Sequence, residues 1–308
     1  MTAAAPIACF IYNRPGHLER ALASLLANRG INDSPIFVFA DGPRNQEDAP
    51  AVEAARRAAH DLLGSRAVYR LQADNAGLAA AISAGVSELV DHYGKVIVVE
   101  DDLQLAPGFL AYMNEALARF GDARDVYQVS GYMFATPGVA ARNRAIFLPI
   151  VTTWGWGTWK RAWEAYDKQA TGWQQLATNP QLRRQFNFGG VYDYSAMLER
   201  QMSGGADSWG IRWYWSVFRR QGLGCFPPQS LVCNSGMDGS GTHGRGFFRD
   251  FTVKALPTAS GDFIFPTNPV VDEADLTESR QAVWRQNGGW LGYAVDRARE
   301  LRRAVRKR

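Results

Sequence analysis

Short apolar runs alternate with amphipathic stretches along the first hundred residues. The apolar runs predict strands, and the stretches between them, with apolar residues at helical spacing, predict helices. Residues 95–99 are apolar at four consecutive positions, which is typical of a strand that is covered on both faces. This alternation favours an α/β fold with a mixed, mostly parallel sheet flanked by helices. The predicted order is strand 6–12, helix 17–27, strand 35–40, helix 49–63, strand 67–71, helix 77–92 and strand 95–99.

The second half of the chain has a weaker pattern. Apolar runs predict strands at 126–129 and 145–151, and residues 234–246, with five glycines, predict a mobile loop. Helical spacing is present over 158–167, 192–202 and 211–221, and again over most of 277–308.

The composition is that of an ordinary globular protein, with 46% apolar and 21% charged residues. No apolar run approaches the roughly 18 residues of a membrane helix. The N-terminus has no basic residue before its first apolar run, so we expect no signal peptide. Cys9, Cys225 and Cys233 are too widely spaced for a disulfide scaffold or a cysteine-based zinc site, and we expect a reducing, cytoplasmic location.

The net charge of +4 is unevenly distributed. Residues 297–308 contain six Arg and one Lys against one Glu, a net +6, so the rest of the chain carries −2. A slightly acidic body argues against a nucleic-acid partner. The basic tail predicts either a membrane-surface helix on anionic lipid or a solvated charged end.

Three adjacent carboxylates, Glu100, Asp101 and Asp102, follow the most apolar predicted strand. In open α/β sheets the ligand crevice lies at the carboxyl ends of the strands. Adjacent negative charges repel each other unless a cation neutralises them, and a hard divalent cation on one or two carboxylates plus substrate phosphates fits this pattern. The alternative is a solvated acidic turn.

Two further polar residues follow predicted strands at the same edge. Asp41 ends the second strand and could accept hydrogen bonds from a base or a ribose, or simply form an Asp-Gly turn. Arg14 follows the first strand and could pair with a phosphate or a base, or cap a turn.

Eight of the ten tryptophans lie between Trp154 and Trp215. Flat indoles can cover the apolar face of a sugar, but Trp156, Trp159 and Trp163 are at helical spacing, which is more typical of a core. We expect most of the cluster to be core, with Trp154 or Trp156 at the border of an acceptor cleft.

These motifs together resemble the GT-A glycosyltransferases. The acidic tripeptide is similar to their metal-binding motif, in the variant with a leading Glu that N-acetylglucosaminyltransferase I carries. The Asn75-Ala76-Gly77 element resembles that of bacterial family-two-type sugar transferases, and the resemblance extends over about residues 5–255. It also includes residues 11–15, Asp41 and the segment 225–248, which resembles a donor-closing loop.

The resemblance implies a role for each matching position. Asp102 would be the metal ligand, for Mn²⁺ or Mg²⁺, and Glu100 and Asp101 would contact the donor sugar and ribose. Asp41 and Arg14 would hold the base and its surroundings, with Asn75 also in the donor site. The loop 236–246 would close over the nucleotide sugar. His243 in this loop could be a metal ligand, a phosphate contact or a solvent-exposed residue.

The catalytic base is harder to identify. An inverting transfer needs a carboxylate that deprotonates the acceptor hydroxyl. The relative carries Asp-Asp-Trp before its closing loop, whereas this chain has Asp207-Ser208-Trp209, so the second acid is replaced by Ser208. We predict Asp207 as the base, with a plain helix N-cap as the alternative role. Asp238 and Asp193 are the other candidates.

The sequence therefore predicts a metal-dependent, inverting glycosyltransferase. Its expected substrates are a nucleotide diphosphate donor, most simply a UDP-sugar, and a hydroxyl of a glycan or lipid-linked glycan in bacterial surface polysaccharide synthesis. The rivals are a sugar nucleotidyltransferase and a non-catalytic carbohydrate-binding protein. We expect one catalytic domain over 1–265, divided into a nucleotide-sugar half (1–150) and an acceptor half (151–265), and a basic helical extension over 266–308. The tail would hold the enzyme at the inner face of the membrane.

Overall fold

A computed structural model describes residues 3–238, 256–257 and 262–289. The strands are β1 (Ile7–Ile11), β2 (Ile36–Ala40), β3 (Ala67–Leu71), β4 (Lys95–Glu100), β5 (Leu103–Leu105), β6 (Val126–Ser130), β7 (Ile146–Leu148), β8 (Trp156–Trp159), β9 (Leu223–Phe226) and β10 (Val232–Asn234). The helices are α1 (Pro15–Leu26), α2 (Ala49–Leu63), α3 (Leu78–Tyr93), α4 (Phe109–Arg119), α5 (Pro137–Arg142), α6 (Lys160–Trp163), α7 (Gln175–Thr178), α8 (Pro180–Phe186), α9 (Tyr194–Met202), α10 (Trp209–Phe218) and α11 (Glu273–Gln286).

The main sheet of the described residues has the strand order β3-β2-β1-β4-β8-β6-β9-β7. Its first four strands are parallel, with Ile7 of β1 paired to Ile36 of β2 and to Ile97 of β4. The strand β8 is antiparallel to both β4 and β6, and β7 is antiparallel to β9. The predicted α/β fold with a mixed, mostly parallel sheet is confirmed.

Every residue of β1 and β2 is buried, and so are the four central residues of β4. Helices α1, α2 and α3 place their buried Leu, Ile, Val and Ala residues against these strands, which explains the apolar runs on both faces. Polar side chains are therefore confined to the strand ends, where the chain leaves the core.

A second, two-stranded sheet pairs β5 with β10, and Asn234 lies opposite Leu103. Residues 103–105 directly follow the acidic tripeptide, whereas β10 belongs to the second half of the chain. This small sheet therefore fixes where the second half meets the acidic turn.

The helix that was predicted at 158–167 is wrong. Residues Trp156–Trp159 form the strand β8, which pairs with β4 from Lys95 to Val98 and is fully buried. Only the short helix α6 follows it. Trp156 and Trp159 lie on a strand, whereas Trp163 lies on the helix after it. Their spacing in the sequence is therefore the same as that of one helical face, although they belong to two elements.

The helix α11 covers only part of the helix predicted at 277–308, and residues 290–308 lie outside the described part. Asp275 on α11 is fully buried and pairs with Arg142 of α5 and, at 3.0 Å, with Arg144. Leu276, Ala282 and Val283 are buried as well. The division into domains at residue 265 stays a prediction.

No helix within the described residues is long and apolar enough to cross a lipid bilayer. Cys9, Cys225 and Cys233 form no disulfide bond within the described residues; Cys9 and Cys225 are buried, and burial raises the pKa of both to about 12.

Candidate active site

Three parallel strands end at one edge of the sheet, and the predicted donor-site residues follow them. Arg14 comes three residues after β1, Asp41 follows β2 directly, and the acidic tripeptide closes β4. Because β1 pairs with both β2 and β4, the three strand ends are adjacent. The structure thus brings Arg14, Asp41 and the acidic residues to one edge, as the sequence predicted.

The acidic turn is held by contacts from three other segments. The backbone N–H of Tyr12 donates to Asp101 Oδ2 at 3.0 Å, and Arg14 Nη1 lies 3.3 Å from Asp102 Oδ2. The Asp102 carbonyl accepts hydrogen bonds from the backbone N–H and the hydroxyl of Ser235, at 2.8 and 2.9 Å. The turn is therefore a fixed part of the structure and not a solvated acidic loop.

The three carboxylates of this turn lie close enough for their charges to raise the pKa of Glu100 and of Asp101. Burial, together with the charges of Asp102 and Asp101, raises the pKa of Glu100 well above its ordinary value. Burial and the Asp102 charge raise the pKa of Asp101 to about 7, against the opposing hydrogen bond from the Tyr12 N–H. A group that carries positive charge is thus favoured at this position.

The donor set fits a hard divalent cation with substrate ligands. The described residues hold no group of three or more His, Cys, Asp or Glu side chains arranged for metal binding. In such a site the protein would supply one or two carboxylate oxygens, as Asp102 could, and substrate phosphates and water would complete the shell. That division is the usual one for Mg²⁺ and similar cations at phosphate sites.

Asp41 is buried and its carboxylate organises the neighbouring loop. Its oxygens accept hydrogen bonds from the backbone N–H of Gly42, Ala76 and Gly77, at 3.0, 2.8 and 2.9 Å. Asn75 closes the same loop by donating from Nδ2 to the Gly42 carbonyl at 2.7 Å. A carboxylate has about four acceptor positions, so three are already used. The contacts seen here are structural, and direct binding of a donor by Asp41 or Asn75 stays a prediction.

Asp207 comes from the second half of the chain and lies beside this loop. A Cβ at Gly77 would be 3.4 Å from Asp207 Oδ2, and Arg212 Nη2 is 3.6 Å from Asp207 Oδ1. Ser208, not Asp207, is the N-cap residue of α10, and the Ser208 side chain makes no capping hydrogen bond. The alternative role of Asp207 as the N-cap of this helix is therefore wrong, because Ser208 occupies that position. Its side chain is 59% exposed, so it is accessible to a substrate.

Of the two tryptophans expected at the acceptor cleft, Trp156 is a core residue. It has no exposed surface and stacks on Trp209 with ring centroids 5.1 Å apart. A side chain that is buried on all sides cannot border a cleft, so this expectation is wrong for Trp156.

Trp154 is half-buried and packs edge-to-face on Tyr132. It precedes β8, whose Trp156 pairs with Val98 of the antiparallel β4, and so it lies toward the edge that carries the acidic turn. Gly155 next to it has φ +58° and leaves no room for a Cβ, which would lie 2.7 Å from Val232. Trp154 keeps its place as the candidate acceptor contact.

The other sequence candidates divide into two groups. Asp193 is the N-cap of α9, where it accepts a hydrogen bond from the Ala196 N–H and pairs with Arg183, so it has a structural role. His243, the Asp238 side chain and residues 239–246 of the predicted loop lie outside the described residues.

Two contributors at this edge were missed by the sequence reasoning. Arg212 stands within the apolar helix α10, between Ile211 and Trp213, and a lone arginine among buried aromatic residues is a signal that could have identified it. Ser235 has no comparable signal, because its role depends on the pairing of β10 with β5.

One comparison with known proteins bears on these observations. The family model described as glycosyl transferase family 2 matches residues 7–190, which is more than half of the chain. The matched region begins at β1 and includes Arg14, the Asp41 loop and the acidic turn.

The Asp41 contacts lead to a prediction about local stability. Asp41→Ala removes the acceptor of three backbone N–H groups, so the loop at residues 75–77 should open more often. Amide hydrogen exchange in a peptide covering 72–80 should accelerate. Asp74→Ala, which changes a neighbouring exposed side chain, should leave exchange unchanged; equal exchange in the two variants would contradict this role for Asp41.

Proposed function

This chain belongs to glycosyl transferase family 2, and from that premise we propose the reaction that its site supports. The reaction is metal-dependent, inverting transfer of a sugar from a nucleotide diphosphate donor, such as a UDP-sugar, to a hydroxyl of a glycan or lipid-linked glycan. A place in bacterial surface polysaccharide synthesis would suit such an acceptor.

Family membership decides between the classes of function that the sequence left open. The chain is a glycosyltransferase of the GT-A type, and both predictions are confirmed. This membership argues against the two rival functions, a sugar nucleotidyltransferase and a non-catalytic carbohydrate-binding protein. The narrower resemblance to N-acetylglucosaminyltransferase I stays a prediction.

The observation that carries the proposal is the convergence of acidic groups from both halves at one sheet edge. Glu100, Asp101 and Asp102 supply the negative charge that favours a cation. The loop held by Asp41 contains Gly77, and Asp207 from the second half lies against it with most of its side chain exposed. A donor diphosphate at the acidic turn and an acceptor hydroxyl at Asp207 can thus share one cleft.

The proposed chemistry uses these groups in the following way. Asp207 accepts the proton of the acceptor hydroxyl while the oxygen attacks the anomeric carbon of the donor sugar. The new carbon–oxygen bond forms as the bond from that carbon to the diphosphate breaks, and the nucleoside diphosphate leaves. Arg14, 3.3 Å from Asp102, is a second positive charge close to the leaving group. When bound, the divalent cation would neutralise the charge that develops on the diphosphate.

The metal role can be tested directly. Incubation with a panel of nucleotide sugars and Mn²⁺ should release a nucleoside diphosphate, UDP with the preferred donor, and transfer should stop in excess chelator and return with Mn²⁺. Asp102→Asn should reduce transfer by about 10²- to 10³-fold, because a charge-stabilising ligand is lost. Asp91→Asn, an exposed residue of α3 paired with Lys160, is the matched control. Full activity in chelator would reject the metal dependence.

The base assignment makes a separate prediction. Asp207→Asn keeps the size of the side chain and removes the proton acceptor, so kcat should fall by roughly 10²- to 10⁴-fold with little change in donor KM. Asp193→Asn is the control, because asparagine also caps a helix and Asp193 is already engaged as the N-cap of α9 and with Arg183. Normal turnover of Asp207→Asn would show that the base is elsewhere.

The proposal of peripheral membrane contact concerns the basic tail, which lies outside the described residues. Removing residues 297–308 should weaken binding to vesicles rich in anionic lipid, by about 1 kcal/mol for each basic residue at the surface. Activity on a soluble acceptor should be unchanged. Equal sedimentation of the full-length and truncated proteins with these vesicles would end the proposal.

A further inference from the structure

Arg212 is a charged residue in an apolar environment. It lies in the first turns of α10, where Trp209, Ile211 and Trp213 are buried. Its own side chain is only 15% exposed, and its Nε is buried with no hydrogen-bond partner among the described residues. A guanidinium keeps its proton at any physiological pH, so its charge needs a partner at this position.

Asp207 is the ion-pair partner of Arg212 in the described part of the chain, at 3.6 Å from Nη2 to Oδ1. The two residues differ in exposure, since the carboxylate is 59% exposed and the guanidinium is largely covered. The pair therefore joins a covered group in the helix to an accessible carboxylate beside the Gly77 loop. The second carboxylate oxygen, Oδ2, is the one that faces Gly77 of the donor-side loop.

The environment of Tyr166 shows that the Arg212–Asp207 pair lies beside buried aromatic residues. The Tyr166 hydroxyl is also buried without a hydrogen-bond partner among the described residues, and the Tyr166 ring stacks on Trp163. Burial raises the pKa of Tyr166, the positive charge of Arg212 acts against this, and the negative charge of Asp207 adds to it. The Arg212–Asp207 pair thus lies at the wall of an aromatic core, where its attraction is screened less than at an open surface.

We propose that Arg212 is the positioning residue for Asp207, holding one carboxylate oxygen so that the other is presented toward the donor-side loop and the acceptor hydroxyl. This rests on the proposed function for its catalytic consequence, but the pairing itself is a property of the protein without substrate. Residue 207 precedes the helix and is exposed, so without the pair its carboxylate has several rotamers. Fixing one rotamer brings the base within reach of the proton it must accept.

Thermal unfolding tests the pairing independently of activity. Asp207→Asn leaves a buried guanidinium without its carboxylate, so the melting temperature should fall. Adding Arg212→Gln to this variant removes the unmatched charge, so the double variant should melt at a higher temperature than Asp207→Asn alone. Arg220→Gln, which removes an exposed arginine beyond the end of α10, should not restore the melting temperature when it is added to Asp207→Asn. No recovery in the Asp207→Asn/Arg212→Gln variant would overturn the pairing.

Kinetics test the positioning role. Arg212→Gln should lower kcat by about 10- to 100-fold with donor KM within about twofold, and Arg212→Lys should recover part of the loss because it keeps the charge. In the Asp207→Asn background, Arg212→Gln should cause no further loss. Equal losses in both backgrounds would show that Arg212 acts on the fold and not through Asp207.

The two measurements separate this inference from the proposed function. If the melting temperature recovers but the protein transfers no sugar from any nucleotide donor, the Arg212–Asp207 pair is supported and the proposed reaction is contradicted. If the protein transfers sugar but the substitutions at 207 and 212 have independent effects on melting temperature and on kcat, only the positioning role of Arg212 is contradicted.

Discussion

The burial of β4 on both faces is the constraint on which the site depends. Because β1 and β8 cover its edges and helices cover its faces, the four central positions of the strand accommodate only apolar side chains. Its polar groups are therefore gathered at its carboxyl end, where three carboxylates follow one another. The like charges and the burial that raise the pKa of Glu100 and Asp101 are consequences of that position.

Carboxylates have three different roles at this one edge. Asp41 is buried and accepts hydrogen bonds from backbone N–H groups, so it fixes the conformation of the loop that contains Gly77. Asp102 is paired with Arg14 and lies in the crowded acidic turn. Asp207 is mostly exposed and has a single cationic partner among the described residues. The environment, more than the residue type, distinguishes a structural carboxylate from one that is available for chemistry.

The first half of the fold could be predicted from the sequence because its signals are local. The bounds of α2 and β3 agree with the pattern to the residue, and the edge that collects Arg14, Asp41 and the acidic turn follows from parallel pairing. The second half could not be predicted as well, since Trp156 and Trp159 owe their strand conformation to β4 and β6, which are distant in sequence. Tryptophans at apparent helical spacing cannot reveal that they lie on a central strand.

The same limit applies to the contacts that join the two halves of the site. Ser235 donates twice to the Asp102 carbonyl, and the following residue is a glycine whose Cβ position is occupied by the Asp102 carboxylate and by Arg14 Nη1. A larger residue at 236 would have to displace the end of the Asp102 or the Arg14 side chain, so glycine lets the backbone pass close to the acidic turn without moving either group. Residues 235 and 236 thus lie against the same residue that is proposed to hold the metal: Ser235 bonds the Asp102 backbone carbonyl, and Gly236 lies beside the Asp102 carboxylate.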